Sequence, residues 1–154
     1  MDAESIVRTY ADMVYKIAYR YTRQAADAED IFSEVWLIYF KKDRAFDCEE
    51  HRKAWLIRVT INAAKDLLSR RTFHEELDEY MPQTAAPQTD REEILDLRAA
   101  IERMKPAYRE VVCLYYLQEL SVKEIAAILG QKENTVKTHL LRAREELRHL
   151  MGEE

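Results

Sequence analysis

The chain has 154 residues, of which 34% are charged and 47% hydrophobic, and its formal net charge at pH 7 is -5. This composition excludes wholesale disorder, and two glycines and three prolines are too few for a turn-rich β fold, so an all-α protein is predicted. The lack of an apolar run near the ~20 residues of a membrane span, of an opening signal peptide and of enough cysteines for a disulfide framework predicts a reduced, cytoplasmic protein.

The N-terminal half predicts three helices, from about Ser5 to Arg23, from about Asp27 to Lys42, and from about Arg52 to Arg71. Apolar residues of the first helix recur at steps of three and four: Ile6, Tyr10, Met13, Ile17 and Tyr21. A polar loop separates the second helix from the third. This spacing indicates amphipathic helices that share a core.

The second helix is apolar nearly all round, but one face carries Asp30, Ser33, Glu34, Leu37 and Lys41. A leucine among carboxylates on an outward face predicts a surface that binds a protein. The alternative is a solvated face with one stray leucine.

The third helix has two stripes. The apolar stripe consists of Leu56, Val59, Ala63 and Leu67, and the polar stripe of Arg58, Asn62, Lys65 and Ser69. Residues 52–72 contain six Lys or Arg against one Asp, whereas residues 73–96 contain eight Asp or Glu against one Arg. The net charge therefore hides a basic helix beside an acidic segment, of which residues 73–91, with two prolines, are predicted to be a flexible linker.

The C-terminal part predicts a helix-turn-helix. A helix from about Glu92 ends before Pro106, which suits the first position of the next helix. Ser121 and Glu124 form a capping box that opens a short helix, and Gly130 stands where a tight turn needs a positive φ. The last helix runs from about 133 to 151, and this order of elements is typical of a helix-turn-helix.

The last helix has a core face and an outward face. Its core face is predicted to be Val136, Leu140, Ala143, Leu147 and Leu150. At ~100° per residue, Thr135, Thr138 and Arg142 then point outward, with Lys137 and Leu141 at their flanks. A DNA major groove admits such a helix, and lysine or arginine can bind guanine there. The alternative is the solvated face of an ordinary helical hairpin.

Three segments resemble one family. "LSVKEIAAILGQKENTVKTHLLRAREELR" resembles the promoter-reading domain of bacterial RNA polymerase sigma factors. "DAEDIFSEVWLIYFKK" and "KAWLIRVTINAAKDLLSRR" resemble the other conserved domain of that family, in the same order. The two-domain build resembles the extracytoplasmic-function group. The resemblance implies a region 2 domain at 1–72, an acidic linker at 73–91 and a region 4 helix-turn-helix domain at 92–154.

The resemblance also implies three binding surfaces. The minus-thirty-five element of promoter DNA would be bound by Thr135, Lys137, Thr138, His139, Leu141 and Arg142. One strand of the melted minus-ten element would be bound by Arg58, Asn62 and Lys65, with the loop 46–51 capturing a base. Core RNA polymerase would be bound by Asp30, Ser33, Glu34 and Leu37. One alternative is that Asn62 is merely a solvated helix residue. For Trp55, a place in the core is the preferred interpretation, and a platform on which a base stacks is the alternative.

The resemblance to sigma factors also implies a function. The protein would join core polymerase, direct promoter-specific transcription initiation, and be held inactive by an anti-sigma factor, which in this family is often membrane-anchored. No glycine-rich phosphate loop or catalytic triad is found, and Cys48 and His51 lack a second pair at metal-ligand spacing. The expectation is therefore no enzyme activity, no metal, no cofactor and no small-molecule substrate.

Two rival functions are a dimeric helix-turn-helix regulator that binds duplex DNA and a protein-binding adaptor. Neither rival explains the whole chain. A dimeric regulator has no need of the polar stripe on the third helix or of the Asp30 and Leu37 face, and in an adaptor the outward Lys137 and Arg142 would be accidental. Three departures from the family pattern concern the helix-turn-helix itself: Lys132 stands where a serine-like helix cap is common, Gln131 stands where the turn residue is usually apolar, and His139 stands where arginine is frequent.

Overall fold

The computed structural model describes residues 2–42, 44–75 and 92–152, without the side chains of residues 72–75 and 92–96. The chain divides into two compact units, Met1–Ala85 and Ala86–Glu154. The described residues form seven α-helices and no strand, so the all-α prediction is confirmed. Residues 76–91 of the predicted linker lie outside the described residues, and the predicted domain bounds stay a prediction.

The first unit is a bundle of α1 (Ala3–Thr22), α2 (Ala25–Lys41) and α3 (Glu49–Glu75), each of which packs against the other two. Helix α1 starts at a side-chain cap, since the Ser5 N–H donates to Asp2 Oδ1 at 2.8 Å, and this bond to the backbone lowers the pKa of Asp2. The bounds of α1 and α2 lie within two residues of the predicted ones.

Helix α3 is longer than predicted at both ends, so two predictions are corrected. It begins at Glu49, because the Cys48 carbonyl accepts the first helical bond from the Arg52 N–H at 3.3 Å and two glutamates occupy the positive end. Residues 49–51 of the predicted base-capture loop are therefore helical. At its other end α3 continues to Glu75, through the first three residues of the predicted linker.

The core face of α3 is broader than the predicted stripe. Leu56 is fully buried as predicted, but Val59, Ala63 and Leu67 are only half-buried. The deepest side chains beside Leu56 are Ile57, Thr60, Ile61 and Ala64. The buried Thr60 hydroxyl is satisfied, since it donates to the Leu56 carbonyl at 2.6 Å. Two helices pack on α3, and this requires a wider apolar face than one stripe supplies.

Polar contacts tie both ends of α3 to the bundle. Near its start, the Tyr10 hydroxyl of α1 donates to Glu49 Oε2 at 2.6 Å, and burial raises the pKa of Tyr10. Near its end, the Arg71 guanidinium forms a bidentate ion pair with the buried Asp27 of α2, with Nη2 to Oδ1 at 2.8 Å. These two contacts fix α3 lengthwise against α1 and α2.

Replacing Arg71 by methionine is expected to lower the free energy of unfolding of the first unit by about 2–3 kcal/mol, because Asp27 is left as a buried, unpaired carboxylate. Urea unfolding followed by far-ultraviolet circular dichroism measures this change. Arg70→Met is the matched control: the neighbouring Arg70 pairs with Asp66 at 3.2 Å, but both side chains are about two-thirds exposed. Equal losses in the two variants would contradict the assigned role of the Asp27 pair.

The second unit consists of α4 (Glu92–Glu102), α5 (Pro106–Val112), α6 (Val122–Leu129) and α7 (Glu133–Leu150). Helix α7 packs against the other three. Its core includes Met104, Val112 and Ala143, and Ile101, Tyr108, Leu147 and Leu150 pack around them. No helix within the described ranges is long and apolar enough to cross a membrane.

Helix α5 ends in a turn that is wider than an α-helical one. It begins at Pro106 as expected, and the chain stays helical to Leu117, but Cys113–Leu117 is a π-helical turn. The Gln118 N–H accordingly donates to the Cys113 carbonyl, five residues back, at 3.2 Å. This turn brings Tyr115 and Tyr116 beside α7.

Candidate nucleic-acid interface

The turn between α6 and α7 is built as the sequence predicts. The Ser121 N–H donates to Glu124 Oε1 at 3.0 Å, and the Glu124 N–H donates to Ser121 Oγ at 3.1 Å, which completes the capping box. Gly130 closes α6 with φ 66°, in the left-handed region, and the Gln131 N–H returns to the Ala126 carbonyl at 2.9 Å. These contacts determine the direction in which α7 leaves the turn.

Replacing Gly130 by alanine is expected to lower the free energy of unfolding of the second unit by about 1 kcal/mol, since an L-residue is strained at this φ. A Cβ at this position would meet no atom within 4 Å, so the loss reports backbone strain alone. Gly130→Asn is the matched control, because asparagine tolerates the left-handed region better than alanine. Thermal unfolding by circular dichroism measures both, and an asparagine variant as unstable as the alanine variant would contradict this account.

The outward face of α7 carries most of the residues predicted to bind duplex DNA. Val136, Leu140 and Ala143 are buried, and on the far side of the helix Lys137, Thr138, Leu141 and Arg142 are exposed. Thr135 is half-buried at the edge of this face. The helix therefore presents cationic, hydroxyl and apolar groups together on its first three turns.

His139 and Arg144 are turned toward the rest of the unit. The His139 ring is half-buried, lies 5.5 Å from the Tyr108 ring in an edge-on arrangement, and has a buried Nδ1. The Arg144 Nε donates to the Tyr116 hydroxyl at 2.6 Å, and its guanidinium lies 5.7 Å from the Tyr116 ring centroid. The geometry thus separates His139 from the exposed set, with its ring against α5.

Asn134 is an outward residue that the sequence-based assignment missed. It is exposed in the first turn of α7, one turn before Thr138. Helix periodicity could have identified it, because Asn134 lies ~200° from the buried Val136 around a helix and so on the opposite face. Just before it, Lys132 caps α7 without a side-chain hydrogen bond, which agrees with the missing serine-like cap noted in the sequence.

A second polar surface lies on α3. Arg58, Asn62, Lys65 and Ser69 are all exposed, and steps of three and four place them along one face of the helix. Lys65 also interacts with a residue of its own chain. The structure therefore brings the three residues predicted to bind the minus-ten element, Arg58, Asn62 and Lys65, into one line.

The loop before α3 rests on an aromatic cluster. Trp55 is half-buried, with its ring centroid 5.7 Å from that of Tyr39 and 6.1 Å from that of Phe46. The Arg44 guanidinium lies 4.3 Å above the Trp55 ring, and its Nη2 donates to the Ile38 carbonyl at 3.3 Å. Trp55 therefore packs within its own unit, in agreement with the preferred interpretation as a core residue, and its ring supports the loop.

The predicted protein-binding face lies on α2. Asp30, Ser33 and Glu34 are exposed, and the Leu37 side chain is 72% exposed. Phe40, one turn further, is 47% exposed and was missed, although its spacing from Leu37 is the signal that would have found it. An exposed leucine and phenylalanine in adjacent turns, beside two carboxylates, form a surface suited to a protein partner.

Comparison with known families identifies the two units in order. Residues 6–73 match the family model of Sigma-70 region 2, and residues 94–147 match that of Sigma-70, region 4. The two matches together span most of the chain. They define a protein that carries both the region 2 helices and the region 4 helix-turn-helix.

The relatives agree with these matches. The chain is 32% identical to the ECF RNA polymerase sigma factor SigE of Mycolicibacterium smegmatis, over 97% of this chain and 61% of that protein. It is 28% identical to the ECF RNA polymerase sigma factor SigW of Bacillus subtilis, over 93% of this chain and 85% of that one. The chain belongs to the sigma-70 family, and its relatives place it in the extracytoplasmic-function group.

A solved structure shows the same fold. The sigma factor RpoE of Bartonella quintana, in complex with the anti-sigma factor NepR, superposes with a TM-score of 0.81 at 20% identity, over 96% of this chain and 95% of that chain. At this identity the likeness concerns the fold. Within the described residues, no group of three or more His, Cys, Asp or Glu side chains could hold a metal ion.

Proposed function

We propose that this protein is a sigma factor that binds core RNA polymerase, directs promoter-specific transcription initiation in the cytoplasm, and has no catalytic activity of its own. The observation that carries the proposal is the exposed face of α7, which follows a fully formed helix-turn-helix turn in a chain of the sigma-70 family. The proposed domains are 1–72 and 92–154, joined by the acidic segment 73–91.

The proposed duplex-binding surface is α7, entering the major groove at the minus-thirty-five element. Lys137 and Arg142 supply positive charge, and Thr138 and Leu141 lie between them on the exposed face. Thr135 borders this surface. His139 stays in the assignment only as a flanking residue, since its ring packs against Tyr108.

The proposed single-strand surface is the polar stripe of α3. Bases of a melted strand expose their hydrogen-bonding edges, so an amide such as Asn62 can bind one, and Arg58 and Lys65 can follow the phosphates. The loop 44–48 lies at the start of the same helix, where the aromatic cluster supports it. This arrangement supports strand capture at the minus-ten element.

The proposed polymerase-binding surface is the α2 face of Asp30, Ser33, Glu34 and Leu37. Its exposed apolar side chains and carboxylates support a protein interface. An anti-sigma factor is proposed as the regulator, because the sigma factor RpoE, of similar fold, was solved bound to one.

In vitro transcription tests the proposal. Core RNA polymerase alone and core plus this protein are given fragmented genomic DNA, and the transcripts are sequenced. New start sites that share two spaced elements are expected only with the protein present. If the protein instead binds duplex DNA specifically as a dimer without polymerase and yields no new transcripts, it is a dimeric regulator.

Asn62→Ala is expected to impair strand opening, because the exposed amide is lost from the middle of the polar stripe. Permanganate footprinting of a duplex promoter should show at least fivefold less reactivity of unpaired thymines. Affinity for core polymerase should stay unchanged, since Asn62 lies on α3 and not on the α2 face. Normal opening by the variant would return Asn62 to a solvated helix position.

A further inference from the structure

The centre of the exposed face of α7 is uncharged. Asn134, Thr138 and Leu141 follow one another at steps of four and three, opposite the buried Val136 and Ala143. Lys137 and Arg142 lie on either side of this neutral strip. In a groove, the residues in the middle of such a face would come closest to the base edges.

The proton of the Thr138 hydroxyl is engaged in a hydrogen bond within α7. Thr138 Oγ1 donates to the Asn134 carbonyl at 2.9 Å, one turn back along the helix. A hydroxyl has one proton and two lone pairs, so this side chain can only accept a hydrogen bond from outside. In the major groove, the amino groups of adenine and cytosine are the donors, while guanine and thymine present acceptors. Thr138 is therefore matched to adenine or cytosine.

The two neighbours of Thr138 add to this selectivity. The exposed Asn134 amide offers an NH2 donor beside a carbonyl acceptor, which is the pattern that binds N7 and the N6 amino group of adenine together. Leu141 is 56% exposed and offers an apolar surface, which matches the methyl group of thymine. Neither residue can replace the charge-assisted bonds by which arginine or lysine binds guanine.

Building on the proposed function, we propose that the strip Asn134–Thr138–Leu141 determines base specificity, with Asn134 binding an adenine, Thr138 accepting from the amino group of adenine or cytosine, and Leu141 contacting a thymine methyl. Lys137 and Arg142 supply the attraction to the polyanion on either side. The part of the duplex element under the strip is thus rich in A·T pairs.

The test selects promoters from a library randomised in the duplex element, using core polymerase loaded with the full-length protein. Thr138→Val keeps the size of the side chain but removes its lone pairs, and is expected to reduce the preference for adenine or cytosine at one position tenfold or more. Thr138→Ser keeps the acceptor and should keep the preference. Asn134→Ala should reduce the preference for adenine at an adjacent position by a similar factor.

The matched control is Thr9→Val. Thr9 is an exposed threonine of α1 whose hydroxyl donates to the Ser5 carbonyl at 2.7 Å, the same bond that Thr138 makes. This variant should select the same promoters as the unaltered protein. Circular dichroism verifies that each variant is folded. If Thr138→Val does not fold, Asn134→Ala still tests the strip.

The outcomes separate this inference from the proposed function. If the unaltered protein selects promoters but Thr138→Val and Asn134→Ala select them with the same base preferences, the strip does not read bases and the inference is overturned. A preferred guanine or thymine opposite Thr138 overturns it as well. If the unaltered protein with core polymerase selects no promoters, the proposed function itself fails.

Discussion

Replacing Lys137 and Arg142 by alanine is expected to cost promoter binding about 1–3 kcal/mol for each side chain, measured with the polymerase-bound protein at fixed salt. Both cations are exposed on the face of α7 that would enter the groove, and within the described part of the chain neither is held by a neighbour as Arg144 is by Tyr116. A contact to a base would relax specificity at one position. A contact to a phosphate would weaken binding to all sequences and reduce the salt dependence by about one ion.

Arg148→Ala is the matched control for this pair. Arg148 is exposed on the same helix and carries the same charge, but it lies in the last turn, away from the first turns of α7. Its loss should change promoter affinity by less than about 0.5 kcal/mol. Unchanged promoter affinity in both the Lys137 and the Arg142 variant would remove α7 as the duplex-binding helix.

Replacing Leu37 by aspartate is expected to reduce affinity for core polymerase at least tenfold. Leu37 is the most exposed large apolar side chain within the described residues, and a carboxylate in its place would be buried unpaired in the interface. Glu34→Lys, one turn earlier, should act in the same direction by reversing a charge at the same surface. A competition assay against a labelled sigma factor measures both changes.

Glu4→Lys is the control for the charge reversal. Glu4 is an exposed residue of α1 in the same unit, where it pairs with Arg8 at 2.6 Å on the surface. Its reversal should leave polymerase affinity unchanged, and circular dichroism must be native for every variant. Affinities equal to that of the unaltered protein for Leu37→Asp and Glu34→Lys would show that the α2 face is simply solvated.

The helix-turn-helix could be predicted from sequence because local contacts determine it. The capping box joins residues three apart, and the left-handed turn needs a glycine at one position, so Ser121, Glu124 and Gly130 carry the signal themselves. The start of α3 could not be predicted in this way. Its first turn is supported by Tyr10, 39 residues away, through the bond to Glu49.

The fine structure of the α7 face also depends on distant residues. Periodicity alone places His139 near the edge of the helix, and only the position of Tyr108 on α5 decides that its ring turns inward. Arg144 is drawn aside by Tyr116 because the turn before α6 is π-helical, and the sequence carries no signal for that wider turn. The exposure of Asn134, by contrast, could have been predicted from the sequence, because helix periodicity alone places it on the face opposite Val136.

Helix α3 has a fixed length and a fixed position in its unit. It contains 27 residues and is tied to its neighbours near both ends, by Glu49 to Tyr10 and by Arg71 to Asp27. At a rise of about 1.5 Å per residue, its polar stripe from Arg58 to Ser69 covers about 16 Å. At the duplex spacing of about 3.4 Å per base the stripe would span about five nucleotides, and a melted, more extended strand would place fewer along it. The length of the strand that can bind along the stripe would therefore be set by the number of residues in the stripe and by the helical rise.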